Sequence, residues 1–306
     1  MAIPTVLLVS TIVFLVFQQL ADPAVIDLGP TASPEALEAR RHVLGLDRPW
    51  TTRYFEHLWS SFTLDLGESN SLRAPVSEVL GDAIGPTLAY AVPGFLIASV
   101  LSLALGLRAA VRKGRVEDRA LALLATLLMS TSSLIIVMLG QYVLAHRLEL
   151  FPVVGWPLGH RPDAPLAPYL MLPVLLWVLI QVGPDLRHYR ALLVQELRRP
   201  YVDGLRSRGL PEPVVLRHVL HNVAGPVLAR IGQRLPYLLV GSVIIEQVFN
   251  VPGVGDMIFV AMGSSDLPLL QGVTLVLTLV TVGAQLVFDI LAGAIDPSLR
   301  SWEGDR

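Results

Sequence analysis

The chain has 306 residues, of which 53% are hydrophobic and 16% charged. A soluble domain needs about a quarter of its residues charged to clothe its surface, so an ordinary soluble fold is excluded and a bilayer is indicated. Cysteine is absent, which removes disulfides, thiolate metal ligands and cysteine nucleophiles, and a formal charge of −2 gives no ground for a nucleic-acid partner.

Crossing roughly 30 Å of hydrocarbon takes about 20 apolar residues at the helical rise. Six runs of this kind are predicted, at Ile3–Leu20, Ala83–Leu107, Ala120–Ala145, Leu166–Val182, Val223–Val248 and Leu267–Ile295, which makes the chain an all-α polytopic membrane protein. The first run lacks a basic flank and is followed by Asp22-Pro23 with no A-x-A site before it, so it reads as a retained helix rather than a cleaved signal. Residues 21–82 form a small external segment with five arginines against ten acids, in which Ser33-Pro34 opens a helix that Gly45 stops. Residues 83–306 then make a five-helix core.

Orientation follows from the basic residues, because arginine and lysine in short loops stay on the cytoplasmic side. Arg108, Arg112, Lys113, Arg115 and Arg119 mark one such loop, and Arg187, Arg190, Arg198, Arg199, Arg206, Arg208 and Arg217 mark another. Both loops are predicted inside, and with six spans both termini are cytoplasmic.

The second basic loop, at about 196–222, has a pattern of its own. Tyr201, Val202 and Leu205 share a helical face, Asp203, Arg206 and Arg208 lie elsewhere on the wheel, Gly209 can turn the chain through positive φ, and Pro211 or Pro213 suits the start of a second short helix before the chain re-enters the membrane. A helix-glycine-helix elbow is expected. This segment resembles the EAA loop of binding-protein-dependent ABC permeases, in the variant of the dipeptide, oligopeptide and nickel importers. Further matches run along the chain: Asp22-Pro23-Ala24, Leu44 to Pro49 with Tyr54, Asp65 to Ser69, Pro86-Thr87, Glu246 to Gly255, Asp266 to Gly272, and Asp289 with Asp296-Pro297. The sequence departs from the family at Gly204-Leu205, where alanine and threonine are usual, and at Pro211 and Pro213.

The resemblance implies a type I ABC importer permease fold, and a non-catalytic subunit that couples through the elbow to a separate ATPase. Tyr201, Asp203, Leu205, Gly209, Arg217, His218 and Asn222 would be its coupling residues. It implies no cofactor in this chain, with ATP and Mg bound by partner subunits. The expected partners are two ATPases, a second homologous permease, an extracytoplasmic substrate-binding protein and a di- or oligopeptide cargo. Nickel chelates or haem are the alternative cargoes. The docking surface for the binding protein is expected at Glu35, Glu38, Glu68, Pro252 and Gly253. The inner membrane of a bacterium is the implied location.

Ionisable groups in spans invite functional readings. Arg230 and Arg234, with Tyr237, could line the translocation path and attract a substrate carboxylate; equally, Arg230 could reach the headgroups and Arg234 pair with an acid on the partner permease. Asp185 is expected at the inner end of the fourth span as an interfacial ion, and Glu246 and Asp289 as hydrogen-bonded structural groups. His218 and His221 lack a third metal ligand. Pro86, Pro93, Pro173, Pro226 and Pro236 would kink or break their spans. No G-x-x-x-x-G-K-[ST] stretch is present to hold ATP. A self-sufficient secondary transporter would need coupling-ion ligands at the midplane, and an intramembrane enzyme a base beside Ser130, Ser132 or Ser133; neither is seen.

Overall fold

A computed structural model of the chain describes residues 7–8, 11–12, 14–15, 24–25, 32–43, 47–63, 65–157, 165–235, 238 and 243–295. Most of the first predicted span lies outside them, although Leu7, Leu8, Thr11, Ile12, Phe14 and Leu15 are helical. The remaining elements are α1 (Pro34–Val43), α2 (Trp50–Thr63), α3 (Val76–Val111), α4 (Val116–Ser130), α5 (Ser133–Gly140) continued by a π-helix at Gln141–Arg147, α6 (Ala167–Glu196), α7 (Pro200–Ser207), α8 (Glu212–Arg234), α9 (Val243–Phe249), α10 (Val254–Gly263) and α11 (Leu267–Ile295). Among the described residues, three helices are long and apolar enough to cross a membrane, and two bent pairs raise the number to five if each pair is one span.

Several predicted boundaries need correction. The second span extends at both ends into a helix of 36 residues. The third is broken: α4 and the α5–π segment meet at 98°. Thr131 is extended there, and the Leu127 carbonyl accepts both its N–H at 3.1 Å and its hydroxyl at 2.9 Å, the last bonds of α4. The fourth span does not end at Val182 but runs to Glu196, carrying Pro173 and Pro184 inside it. The fifth is not a single helix. Its first half is the end of α8, which is unbroken from Glu212 through Pro226. Among the described residues, the apolar pair that qualifies here as a broken span is α9 with α10. The turn between them holds Asn250 at φ 50°, Pro252 and an extended Gly253, so no backbone hydrogen-bond ladder can pass through it. Of the five prolines expected to kink or break spans, Pro86, Pro93, Pro173 and Pro226 lie within helices, and Pro236 is outside the described residues.

Two compact units emerge, Met1–Pro86 with Pro252–Gly283, and Thr87–Val251 with Ala284–Arg306. In the first, Val76, Leu80 and Ala83 pack with Val254, Ala261, Leu269 and Val273. α1 starts where expected, with the Ala36 N–H donating to the Ser33 hydroxyl at 3.3 Å. α2, not foreseen from the sequence, sets Tyr54 against the first apolar segment, its hydroxyl 2.7 Å from that of Thr11.

Asp266 clamps this unit. Its Oδ2 accepts from the Ser69 hydroxyl at 2.6 Å, the Ser71 hydroxyl at 2.7 Å and the Ser71 N–H at 2.9 Å, while Oδ1 caps α11 through the Leu269 N–H at 3.1 Å. Burial pushes the carboxyl up, but the four donors outweigh burial and hold it below the ordinary carboxylate range. Because the folded value is depressed, the clamp is fully effective above the unfolded value and is lost as pH falls through the folded one. Between neutral pH and pH values below the carboxylate range, the detergent-solubilised protein should therefore lose more thermal stability than an Asp266→Asn variant. Parallel curves for the two would show that the clamp contributes nothing.

The second unit has three hydrophobic clusters along α6, one of which joins Val178, Val182 and Leu186 to Ala98 and Ala125. Leu172, Leu176 and Trp177 pack with Tyr90, Ala91, Val137, Ile245, Phe249 and Val251. Tyr189 and Leu193, nearer the end of the helix, pack with Val202, Val215, Val219, Val223 and Val227. Small residues let backbones approach: a Cβ on Gly94 would meet the Trp177 ring at 2.7 Å, and one on Gly183 would meet Leu128 Cβ at 2.9 Å.

Candidate coupling elbow and the polar sites in the membrane

The elbow begins where α6 ends. Arg199 turns extended, Pro200 opens α7 with its preset φ, and the short helix stops at Ser207. Gly209 takes φ 73°, a left-handed conformation that a side chain would resist, and Pro211 then caps α8, with Glu212 and Pro213 in its first turn. Two arms joined by a glycine result. The second arm is not a separate short helix but the first turns of a helix of 23 residues.

What each arm buries decides what it can offer a partner. Val202 is fully buried, and Tyr201 and Leu205 are half-buried beside it, all against Val215 and Val219 of α8 and Tyr189 and Leu193 of α6. The apolar face of α7 is thus spent on its own chain. Asp203, Gly204, Arg206, Ser207, Arg208 and Gly209 are exposed, as are Arg217 and His218. Arg206 grips Glu212 across the glycine, Nη2 to Oε1 at 2.7 Å and Nε to Oε2 at 3.3 Å, and holds that carboxyl below its usual range. His218 Nδ1 lies 2.8 Å from the Val214 carbonyl one turn back.

One residue that sequence reasoning missed ties the elbow to the membrane helix. Glu196, at the last position of α6, is only 6% exposed. Its Oε1 accepts from the Tyr201 hydroxyl at 2.9 Å and the Asn222 amide at 3.4 Å, and its Oε2 lies 2.8 Å from Arg199 Nε. Burial raises the Tyr201 phenol above its ordinary range, and its bond to Glu196 raises it further. Nothing in the sequence separated Glu196 from a solvated acid before two arginines. Asp118 was missed likewise among the bases of residues 108–119; it is buried, accepts the Gly114 N–H at 2.8 Å and receives both Nε and Nη2 of Arg190, the latter at 2.8 Å.

Arg230 and Arg234 both turn to Asp185. Arg230 Nε and Arg234 Nη2 stand 3.3 Å and 3.0 Å from Asp185 Oδ1, and Arg234 Nη1 also donates to the Gln181 side-chain oxygen Oε1. The acid that pairs with them belongs to this chain, a partner the sequence reading did not contain. Asp185 is a buried group within α6, paired with both arginines. Glu246 is fully buried and accepts from the Thr87 hydroxyl at 2.7 Å and the Tyr90 hydroxyl at 2.9 Å. Among the expected docking residues, Glu35, Glu38, Glu68 and Pro252 are exposed, whereas Gly253 is buried at the head of α10 and can only shape the turn. Tyr237 and Asp296-Pro297 lie outside the described residues, as does the side chain of Asp289.

Residues 102–301 match the model of the family described as binding-protein-dependent transport system inner membrane component, and residues 1–81 match that of its N-terminal region. The chain belongs to this family. It is 34% identical to a Brucella abortus (strain 2308) protein named provisionally as a peptide transport system permease, over 98% of this chain and 96% of that one. It is 32% identical to the glutathione transport system permease protein GsiC of Escherichia coli O6:H1 (strain CFT073) and of Salmonella choleraesuis (strain SC-B67), over 97% of this chain and 95% of each relative. Membership makes the chain a multi-pass inner-membrane component with the type I ABC permease fold, the permease part of a system that also comprises an ATPase and a substrate-binding protein.

Proposed function

We propose that the chain is a non-catalytic permease subunit of an ATP-driven peptide importer, and that α7 with the Gly209 turn is the lever by which a separate ATPase subunit moves it. The observation that carries this reading is the division of the elbow: an apolar face locked to α6 and α8, and a polar tip of Asp203, Ser207, Arg208 and Gly209 left exposed. A lever has to be rigidly held at one end and free at the other. Arg206, Arg208, Arg217 and His218 would orient it on an acidic rim of the partner. Both termini are assigned to the cytoplasm, and ATP and Mg2+ to the ATPase subunits, with no cofactor in this chain. A second homologous permease, two ATPases and an extracytoplasmic binding protein complete the assembly, the last docking near Glu35, Glu38, Glu68 and Pro252. Arg230 and Arg234, with Tyr237, are assigned to the path, their charge held in place by Asp185. The names of the relatives favour peptides over nickel chelates or haem as cargo.

Because the chain has no cysteine, a Ser207→Cys variant carries a single thiol in this subunit. It should react with a membrane-impermeant maleimide in inside-out vesicles and not in intact cells. In proteoliposomes of the complete assembly, uptake of radiolabelled dialanine and glutathione should require ATP, and deleting residues 200–209 should lower it by roughly ten-fold or more, the scale of a site-to-site coupling. Labelling from outside, or undiminished ATP-dependent uptake without the elbow, would end the proposal.

A further inference from the structure

We infer that Glu196 is the positioning residue that makes the elbow and the membrane helix α6 move as one body, an inference that rests on the coupling reading above. Three observations point to it. Glu196 is the last residue of α6, yet it is buried, although an acid at a helix C-terminus opposes the helix dipole and is ordinarily left in solvent. Its single carboxylate is shared by three donors on three successive pieces of the elbow: Arg199 in the turn, Tyr201 in the first turn of α7 and Asn222 in the third turn of α8. The two arms also meet elsewhere, through Arg206 and Glu212 at the glycine, but that bridge is exposed and joins arm to arm without reaching α6.

The geometry therefore has a tripod form. Hydrophobic packing of Val202 on Val215 and Val219 holds the arms together but is non-directional, and it permits the arms to slide on α6. Directional bonds at one buried carboxylate remove that freedom, because sliding either arm breaks a charge-assisted bond and strands part of a buried ion. The effect of Glu196 is to keep a push at Ser207 from being absorbed before it reaches the membrane.

The absence of native cysteine allows a direct test. Spin labels at Ser207→Cys on α7 and Arg187→Cys on α6, both exposed positions, report the separation of lever and helix in the assembled transporter by pulsed electron resonance. With Glu196 intact, the distance should be narrow and the same in the nucleotide-free and vanadate-trapped states. In Glu196→Ala it should roughly double in width and differ between the two states, as expected when a local unit gains freedom to open. Glu196→Gln, which keeps an acceptor for Tyr201 and Asn222, should restore the narrow distribution. Tyr201→Phe combined with Asn222→Ala should reproduce the Ala result without touching Glu196, and so carries the test if the Ala variant does not assemble. Distances in Glu196→Ala as narrow and state-independent as in the parent would overturn the inference. A separate label pair from Ser207 to the ATPase subunit tests the underlying reading: no change there between states would sink the lever itself, whereas a change there with an indifferent Glu196 would sink only its role as the pivot.

Discussion

Asp185→Ala is expected to cost the protein about 3 kcal/mol or more of stability, the usual penalty for removing one partner of a buried ion pair. The penalty arises from what is left behind. Arg230 and Arg234, with side chains 26% and 14% exposed, would lose the carboxylate that both share, and two guanidiniums on adjacent turns of α8 would then repel one another in a medium of low dielectric. A guanidinium cannot discharge itself by losing a proton, so the strain has to be relieved by water entry or by separation of α8 from α6. The thermal midpoint of the detergent-solubilised protein should fall by several degrees. Asp185→Asn, which keeps an acceptor without the charge, should fall less. Combining Asp185→Ala with Arg230→Leu and Arg234→Met should recover most of the loss, because an apolar group of similar volume can replace a buried charge cluster with little cost. A midpoint unchanged in Asp185→Ala would mean that the cluster is solvated and contributes little.

Gly183→Val is the second large effect. A Cβ at this position stands 2.9 Å from Leu128 Cβ and 3.2 Å from the Ala125 carbonyl oxygen, so even the first added carbon meets a backbone atom that cannot rotate away. The γ-methyl groups of valine add to the overlap. α4 has to be pushed off α6, and overpacking of this kind costs about 1–3 kcal/mol. Gly183→Ala should show a smaller loss. Gly85→Ala, at a helical position with nothing within 4 Å, serves as the control and should be neutral or slightly stabilising, since glycine is a poor helix former. The prediction extends to function: the Asp118–Arg190 pair joins the same two helices, so separating them should also lower ATP-dependent uptake. Equal melting curves for Gly183→Val and Gly85→Ala would show that α4 and α6 do not pack as described.

The elbow illustrates how far local chemistry is legible. Proline at the start of a helix, glycine at a turn and a three-to-four-residue apolar repeat act within a few residues of themselves, and the turn at Gly209 and the buried face of Tyr201, Val202 and Leu205 follow from them. The destination of that face does not. Periodicity says that one side of α7 must be covered, and only the fold shows that its own α6 and α8 cover it, which moves the contact surface for an ATPase to the opposite side.

Span ends were the least legible feature, again for a physical reason. Hydropathy reports where apolar residues stop, whereas a helix continues as long as its backbone bonds do, so α6 passes through Gly183, Pro184 and Asp185 without ending. Conversely, the run from Ala120 to Ala145 is long and hydrophobic enough to read as one span, and yet it bends at Thr131 and Ser132, within the hydroxyl-bearing stretch 130–133.

By itself, the sequence determined that this chain is a helical membrane protein without cysteine, that its basic residues gather in two short stretches, and that one stretch folds as a proline-glycine elbow. These are consequences of composition and of interactions between near neighbours. Tertiary structure alone decided that Glu196 binds Tyr201 and Asn222, that Asp118 binds Arg190, and that Arg230 and Arg234 converge on Asp185. Those pairs lie up to 72 residues apart. A buried charge must find an opposite one, but which one it finds depends on how helices pack, and that is settled by side-chain shape across the whole fold rather than by any local pattern.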